Sequence, residues 1–267
     1  MTDPNELRDL ARDIALEAGE LAARRRLEGI AIAASKSTLA DIVTEADREV
    51  EALIRSRLAT ERPEDGFFGE ESGTAGGTSD ITWVVDPIDG TVNYAFGMPS
   101  WAVSIAAVEG SADRFTWRAL AGVVHSPVVG ETFEAAAGEG AWLAGTRLQV
   151  TQESPAGALI ATGFGYNPAT HAPDLQVLQR VMPLARDVRR IGAASIDLSY
   201  VAAGRLDAYY ERGLSPWDHA AGALLVEEAG GRIGWHAPDE LGRHLIVAAG
   251  PALFDTLYDT VAPLPVS

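Results

Sequence analysis

The chain has 267 residues, 47% of them hydrophobic, enough to bury the core of one large domain or of two associated halves. Its 38 acidic against 21 basic residues leave a formal net charge of −17, which repels nucleic acid and anionic membrane surfaces and lacks the basic track that a nuclease needs. With no cysteine there is no disulfide, thiolate zinc site or thiol nucleophile, and with no stretch near the roughly 18 apolar residues of a membrane helix and no signal-peptide pattern at the N-terminus, a cytoplasmic location is expected.

Asp3 as N-cap, Pro4 at the first helical position and Glu6 in the capping-box place open a first helix. Its apolar stripe runs Leu7, Leu10, Ile14, Ala18 and Leu21, and Arg24, Arg25 and Arg26 complement the dipole at its end. A second helix is expected from near Thr44, with Val50, Leu53, Ile54 and Leu58 inward. From Ile81 to about Val150 the signals are strands, WAVSIAAVEG, TWRALAGVVH and the alternating ETFEAAA among them, separated by Gly and Pro. This predicts two helices against an antiparallel sheet.

After about Thr151, strand and helix alternate: LIATGFG, a helix from Pro173, the strand RRIG, a helix from Ser195 to Ala203 stopped by Gly204, and the strand DAYYE. A helix from Asp218 to Ala229 ends at Gly230-Gly231, strands follow at Arg232 to Trp235 and Leu245 to Ala249, and a helix closes the chain. The expected organisation is an α+β half over 1–151 and an α/β half over 152–267, one domain overall.

Residues 83–93 read WVVDPIDGTVN. An apolar strand ending in Asp86-Pro87-Ile88-Asp89 brings two carboxylates and a carbonyl near one point, the hard-oxygen environment that Mg²⁺ prefers. Gly90 and Thr91 then open a short helix whose free amides suit a phosphate. Asp-Pro and Asp-Gly are also common turn dipeptides, so this stretch alone leaves both readings open. Further carboxylates stand in Gly69-Glu70-Glu71-Ser72 and at Trp217-Asp218, where Asp218 is equally suited to cap its helix. The only lysine, Lys36, lacks the glycines of a P-loop and reads as a solvated charge.

Six segments, in this order, resemble the inositol monophosphatase family of Mg²⁺-dependent, lithium-sensitive sugar phosphatases. They are KSTLADIVTEAD (36–47), GEES (69–72), DPIDGTVN (86–93), ETFEAAAGEGAWLAG (131–145), RRIGAASIDLSYVAAGRLDAYYE (189–211) and WDHAAG (217–222). The resemblance implies a layered α-β-α-β-α sandwich with the site between the halves. It also implies direct hydrolysis of a phosphomonoester, myo-inositol 1-phosphate foremost, with two or three Mg²⁺ ions.

In the family pattern Asp86 bridges two ions, Glu70 and the Ile88 carbonyl complete the first, and Asp89 and Asp218 complete the second. Thr91 would hydrogen-bond the attacking water, with Asp47 as its acceptor and Glu70 helping to draw off the proton; Asp47, three residues after Thr44, is also placed to cap its helix. Gly90, Thr91, Gly192, Ala193, Ala194, Glu211 and Asp218 fall at substrate-binding positions. Glu211 separates an inositol phosphatase from relatives acting on fructose bisphosphate, histidinol phosphate or nucleotides. The family's usual state is a homodimer, and a member whose main task is binding a protein partner is the alternative of a different class. Tyr209 and Tyr210 read as packing residues, and His219 as an exposed helix position.

Overall fold

The computed structural model describes residues 2–28, 45–110, 113–153 and 157–263, so Thr44 and Lys36 lie outside the described residues. Helix α1 (Pro4–Leu27) begins as its sequence dictates: Asp3 accepts the Asn5 amide at 2.9 Å and Pro4 takes the first position, where its missing N–H is not needed. Leu7, Ile14 and Ala18 of its stripe are buried, while Leu10 and Leu21 pack on the same core at partial depth. Helix α2 (Glu45–Glu61) buries Val50, Ile54 and Leu58 beside them.

Strands β1 (Gly66–Gly69), β2 (Gly73–Ala75) and β3 (Ile81–Asp89) come next, then the short helix α3 (Thr91–Phe96). Strands β4 (Ala102–Glu109), β5 (Arg118–Ser126), β6 (Glu131–Ala136), β7 (Gly140–Leu143) and β8 (Thr146–Arg147) complete an eight-stranded sheet in the order β2-β1-β3-β4-β5-β6-β7-β8. The sheet departs from the expected antiparallel pattern at one pair, since β1 runs parallel to β3 with Gly69 opposite Val85. Two reversals, one on each side of β2, return the chain to β1's own direction before it pairs on β1's other edge.

The rest of the chain builds a five-stranded sheet. Its elements are β9 (Ala158–Thr162), α4 (Pro168–Val181), β10 (Ala185–Arg189), α5 (Ala194–Ala202), β11 (Ala208–Arg212), α6 (Pro216–Glu228), β12 (Arg232–His236), β13 (Leu245–Ala249) and α7 (Pro251–Val261). The strand order is β10-β9-β11-β13-β12. Helix α4 starts at Pro168 rather than Pro173: Asn167 caps the Ala169 amide at 3.0 Å, Pro168 occupies the first turn, and Pro173 is carried inside the helix.

Three apolar clusters define the layers. Helices α1 and α2 cover the outer face of the large sheet, α5 and α6 fill the space between the sheets, and α4 and α7 cover the far face of the small one. This is the α-β-α-β-α sandwich. The central cluster joins Val124 and Phe133 of the large sheet to Leu198 and Leu225 of the helices and Tyr209 and Ile246 of the small sheet. Burying each such leucine contributes about 1.5–3 kcal/mol, and the shared core joins the two sheets that supply the cleft described below.

Candidate active site

The cleft is organised by an irregularity in β3. Asp86 pairs opposite Ser104 of β4, but the next paired residue is Asp89, opposite Ala102. Three steps along β3 therefore match two along β4, a bulge at Pro87-Ile88 where proline has no amide for the ladder. In a regular strand, residues 86 and 89 would face opposite sides; the bulge turns both carboxylates to one side. Asp86 Oδ1 accepts the Ile88 amide at 3.0 Å and fixes the turn. Gly90 follows with φ 88°, a left-handed conformation that glycine adopts freely, and a Cβ there would lie 2.9 Å from the Ser100 carbonyl oxygen.

Asp218 arrives from the first turn of α6. The N-cap is Ser215, and Asp218 is its capping-box partner, with Oδ2 accepting the Ser215 amide at 2.7 Å. Helix capping and a place in the site thus coexist in one side chain. Asp86, Asp89 and Asp218 each offer an oxygen, and these oxygens lie within 4.8 Å of one another. Burial, followed by neighbouring acids, pushes Asp86 and Asp218 well above the ordinary carboxylate range. Burial also raises Asp89, opposed by Ser195, whose amide and hydroxyl donate to Asp89 Oδ2 at 2.7 and 2.5 Å.

Glu70 follows the last residue of β1, and the parallel register brings its carboxyl within hydrogen-bonding reach of Asp86. The side chain keeps access to the cleft, yet the surrounding protein strips enough water from its carboxyl to push it up to about 7, helped by the charges of Asp47, Glu71 and Asp89. Asp47, in the first turn of α2, is 2% exposed. Thr91 Oγ1 donates to the Ile88 carbonyl at 3.1 Å.

Asp47, Glu70, Asp86, Asp89, Thr91 and Asp218 border one cavity of about 380 Å³. Glu71 and Glu211 also line it, and Arg190 sets a positive charge near Asp89 and Glu211; Arg212 lines it too, but its guanidinium donates to the Arg243 carbonyl and lies near Asp239. Ile88, Gly90, Thr91, Gly192, Ala193 and Ala194 line it as well, so each residue expected from the sequence to form a site reaches this one cleft. An all-oxygen donor set of crowded, buried carboxylates suits a hard divalent cation, because only added positive charge or protons can hold such acids together.

Glu211, on β11, stands on the wall formed by the second half of the chain. Tyr209, two residues earlier on the same face of the strand, is fully buried and donates its hydroxyl to Glu211 Oε2. Gly163 leaves room for that carboxylate: a Cβ there would lie 1.9 Å from Glu211 Oε2. Burial raises Glu211 to about 7, against the Tyr209 bond and the charge of Arg190.

Tyr209 therefore does more than pack, and the period-two spacing to Glu211 was the available sign of it; Tyr210 faces the opposite way into the α4/α7 core. Ser195 and Arg190 carried no signal of their own. His219 is a correction. It is 2% exposed and lies between Trp117 and Trp235 at ring distances of 6.0 and 4.8 Å. Burial, with Arg114 nearby, lowers it to about 3, so it is a neutral core residue of a helix enclosed between two sheets.

The sequence model of the inositol monophosphatase family matches residues 3–257. The chain belongs to that family. Within it, inositol-1-monophosphatase SuhB of Mycobacterium tuberculosis is 41% identical over 98% of each chain. Nus factor SuhB of Pseudomonas aeruginosa is also 41% identical, over 96% of this chain and 95% of the relative. The solved structure of Mycobacterium tuberculosis SuhB matches with a TM-score of 0.82, covering 98% of this chain and 97% of that one. Membership of the inositol monophosphatase family supports a phosphatase role on small phosphorylated substrates, and the family is metal-dependent.

Proposed function

We propose that the cleft hydrolyses an inositol monophosphate, myo-inositol 1-phosphate foremost, to inositol and phosphate. The observation that carries this reading is the convergence of Asp86, Asp89 and Asp218 in the same cavity as Glu211. Glu70, Asp86, the Ile88 carbonyl, Asp89 and Asp218 would hold two or three Mg²⁺ ions. Such ions, when bound, supply positive charge to the phosphate oxygens and acidify a water.

The chain's own groups do the rest. Glu70, which lines the cleft beside Asp86, would help draw off the proton of that water. The Thr91 hydroxyl donates a hydrogen bond to the Ile88 carbonyl. To hold a water and pass its proton toward Asp47, that hydroxyl must turn away from Ile88, so the relay is a rearrangement on substrate binding. The amides of Gly90 and Thr91 suit a phosphate, and the small side chains of Gly192, Ala193 and Ala194 let a sugar ring approach the backbone. Glu211 accepts hydrogen bonds from ring hydroxyls.

We take residues 1–151 and 152–267 as two halves of one folding unit, because α5 and α6 of the second half pack on the sheet of the first. A homodimer in the cytoplasm completes the proposal; among the described residues no helix is long and apolar enough to cross a membrane. The name Nus factor for one relative favours a second reading, in which a protein partner is the main ligand and phosphatase activity is incidental. A phosphate-release screen with Mg²⁺ over inositol 1-phosphate, fructose bisphosphate, histidinol phosphate and nucleotides separates these. Fastest turnover of inositol 1-phosphate supports the first reading, another preferred ester replaces only the substrate, and no metal-dependent release from any of them favours the second.

A further inference from the structure

We propose that Glu51, a residue outside the cleft, is a positioning residue that holds Glu70 in place beside Asp86. The inference rests on the metal-dependent reading of the site given above. Glu51 lies one helical turn after Asp47 on α2, so the two acids share a face of that helix. One borders the cleft and the other turns to the loop that carries Glu70.

Glu51 is 3% exposed, and its two oxygens are both engaged by that loop. Oε2 accepts the Glu71 amide at 2.8 Å, and Oε1 accepts the Ser72 amide at 2.8 Å. The contact is close enough to exclude a side chain at residue 69, where a Cβ would fall 2.4 Å from Glu51 Oε2 and 2.6 Å from Phe67 Cε1. On its other side Glu70 is tied to the sheet, its amide donating to the Val85 carbonyl at 3.3 Å. The backbone of Glu70 is therefore held before and after, by a strand bond and by a two-pronged carboxylate, while its side chain is left to meet Asp86.

A carboxylate is the group that this turn requires. It accepts two amides at once through charge-assisted bonds, which are roughly twice as strong as neutral ones. Glutamine would aim an NH₂ at one of the two donors, and aspartate is one methylene short. The exposed Arg48 reaches Glu71 as well, but at its side-chain carboxylate at 3.4 Å, which fixes no backbone.

The test measures amide exchange, Mg²⁺ affinity and kinetics on the full chain. In the metal-free parent, the Glu71 and Ser72 amides should exchange markedly more slowly than that of Gly76 in the following loop. Glu51→Gln should speed exchange at both, weaken Mg²⁺ binding by about tenfold or more, as loss of an outer-shell partner does, and lower kcat similarly while leaving KM for the phosphate ester nearly unchanged. Gly69→Ala, which disturbs the same contact from the end of β1, should reproduce the effect, and Arg48→Ala should not. If Glu51→Gln fails to fold, the parent exchange rates and Gly69→Ala decide the matter. Fast exchange at Glu71 and Ser72 in the parent, or parental Mg²⁺ affinity and kcat in Glu51→Gln or in Gly69→Ala, would overturn the inference alone. A parent that binds no Mg²⁺ would overturn the reading of the site, and this inference with it.

Discussion

The carboxyls of Glu70 and Asp86 meet because β1 and β3 run parallel with Gly69 opposite Val85, so that one further step along each strand sets the two acids side by side. Two carboxyls stay so close only with a proton or a cation to offset their charge. The same demand is repeated by Asp89 and Asp218, and it makes the site testable through stability as well as turnover.

Ser195 donates twice to Asp89, from its amide and its hydroxyl. Ser195→Ala removes the hydroxyl bond and leaves the amide. Mg²⁺ affinity, followed through the melting temperature, should fall by about tenfold, the lower end of the range for losing a partner of a metal ligand. Unchanged affinity would mean that Ser195 serves only the start of α5.

Tyr209→Phe releases Glu211 from its buried hydrogen bond while keeping the ring in the core. A hydrogen bond to a charged group contributes about 1.5–3 kcal/mol, so kcat/KM for inositol 1-phosphate should fall by roughly tenfold or more. Hydrolysis of a simple aryl phosphate should change little, since no ring hydroxyl needs Glu211 there. Gly163→Ala, which forces the same carboxylate to move, should give the same split. Equal losses on both esters would assign Glu211 to the chemistry instead of to recognition.

The metal-free protein should lose stability as pH rises above about 6.5, the ordinary value of His219. Glu211 has an ordinary value of 4.5 and stands at about 7 in the folded chain, so the folded state binds this proton more tightly than the unfolded state. Its contribution is fully present below about pH 4.5 and lost as pH passes through about 7. Glu70, Asp86 and Asp218, all raised, act in the same direction. Buried His219, lowered to about 3, acts the other way up to its ordinary value of 6.5, so melting temperature without metal should drop between about pH 6.5 and pH 8, and Glu211→Gln should flatten that drop. A profile that rises with pH across that window would contradict the assigned environments.

The carboxylate pair in DPIDG was legible because strand, proline and glycine signals fall within a few residues of one another. Asp47, Glu70, Asp218 and Glu211 come from separate segments, and only the ordered resemblance to a family joined them. Glu51, Ser195 and Arg190 were not legible, because their roles depend on which backbone or carboxylate each side chain meets across the fold. The parallel pairing of β1 escaped notice since strands of four and three residues leave almost no alternation to read. His219 was misplaced for a related reason: residues 219–222 of α6 are all buried, and a helix enclosed on all sides shows no polar face in its sequence.

The most direct measurement is the melting temperature of Asp86→Asn beside the parent, each with and without Mg²⁺. Like charges about 4 Å apart repel by roughly 4 kcal/mol at an effective dielectric of about 20. Asparagine keeps the volume, can still accept the Ile88 amide, and can donate to Glu70. Metal-free Asp86→Asn should melt higher than the metal-free parent, by about 2–4 °C for each kcal/mol relieved. The parent should gain about 2.7 kcal/mol from Mg²⁺ at 100 times its dissociation constant, and the variant should gain far less while losing most phosphate release. A metal-free variant that melts below the parent, or that gains as much from Mg²⁺, would show that Asp86 is a turn residue and that the carboxylate cluster is not where the metal binds.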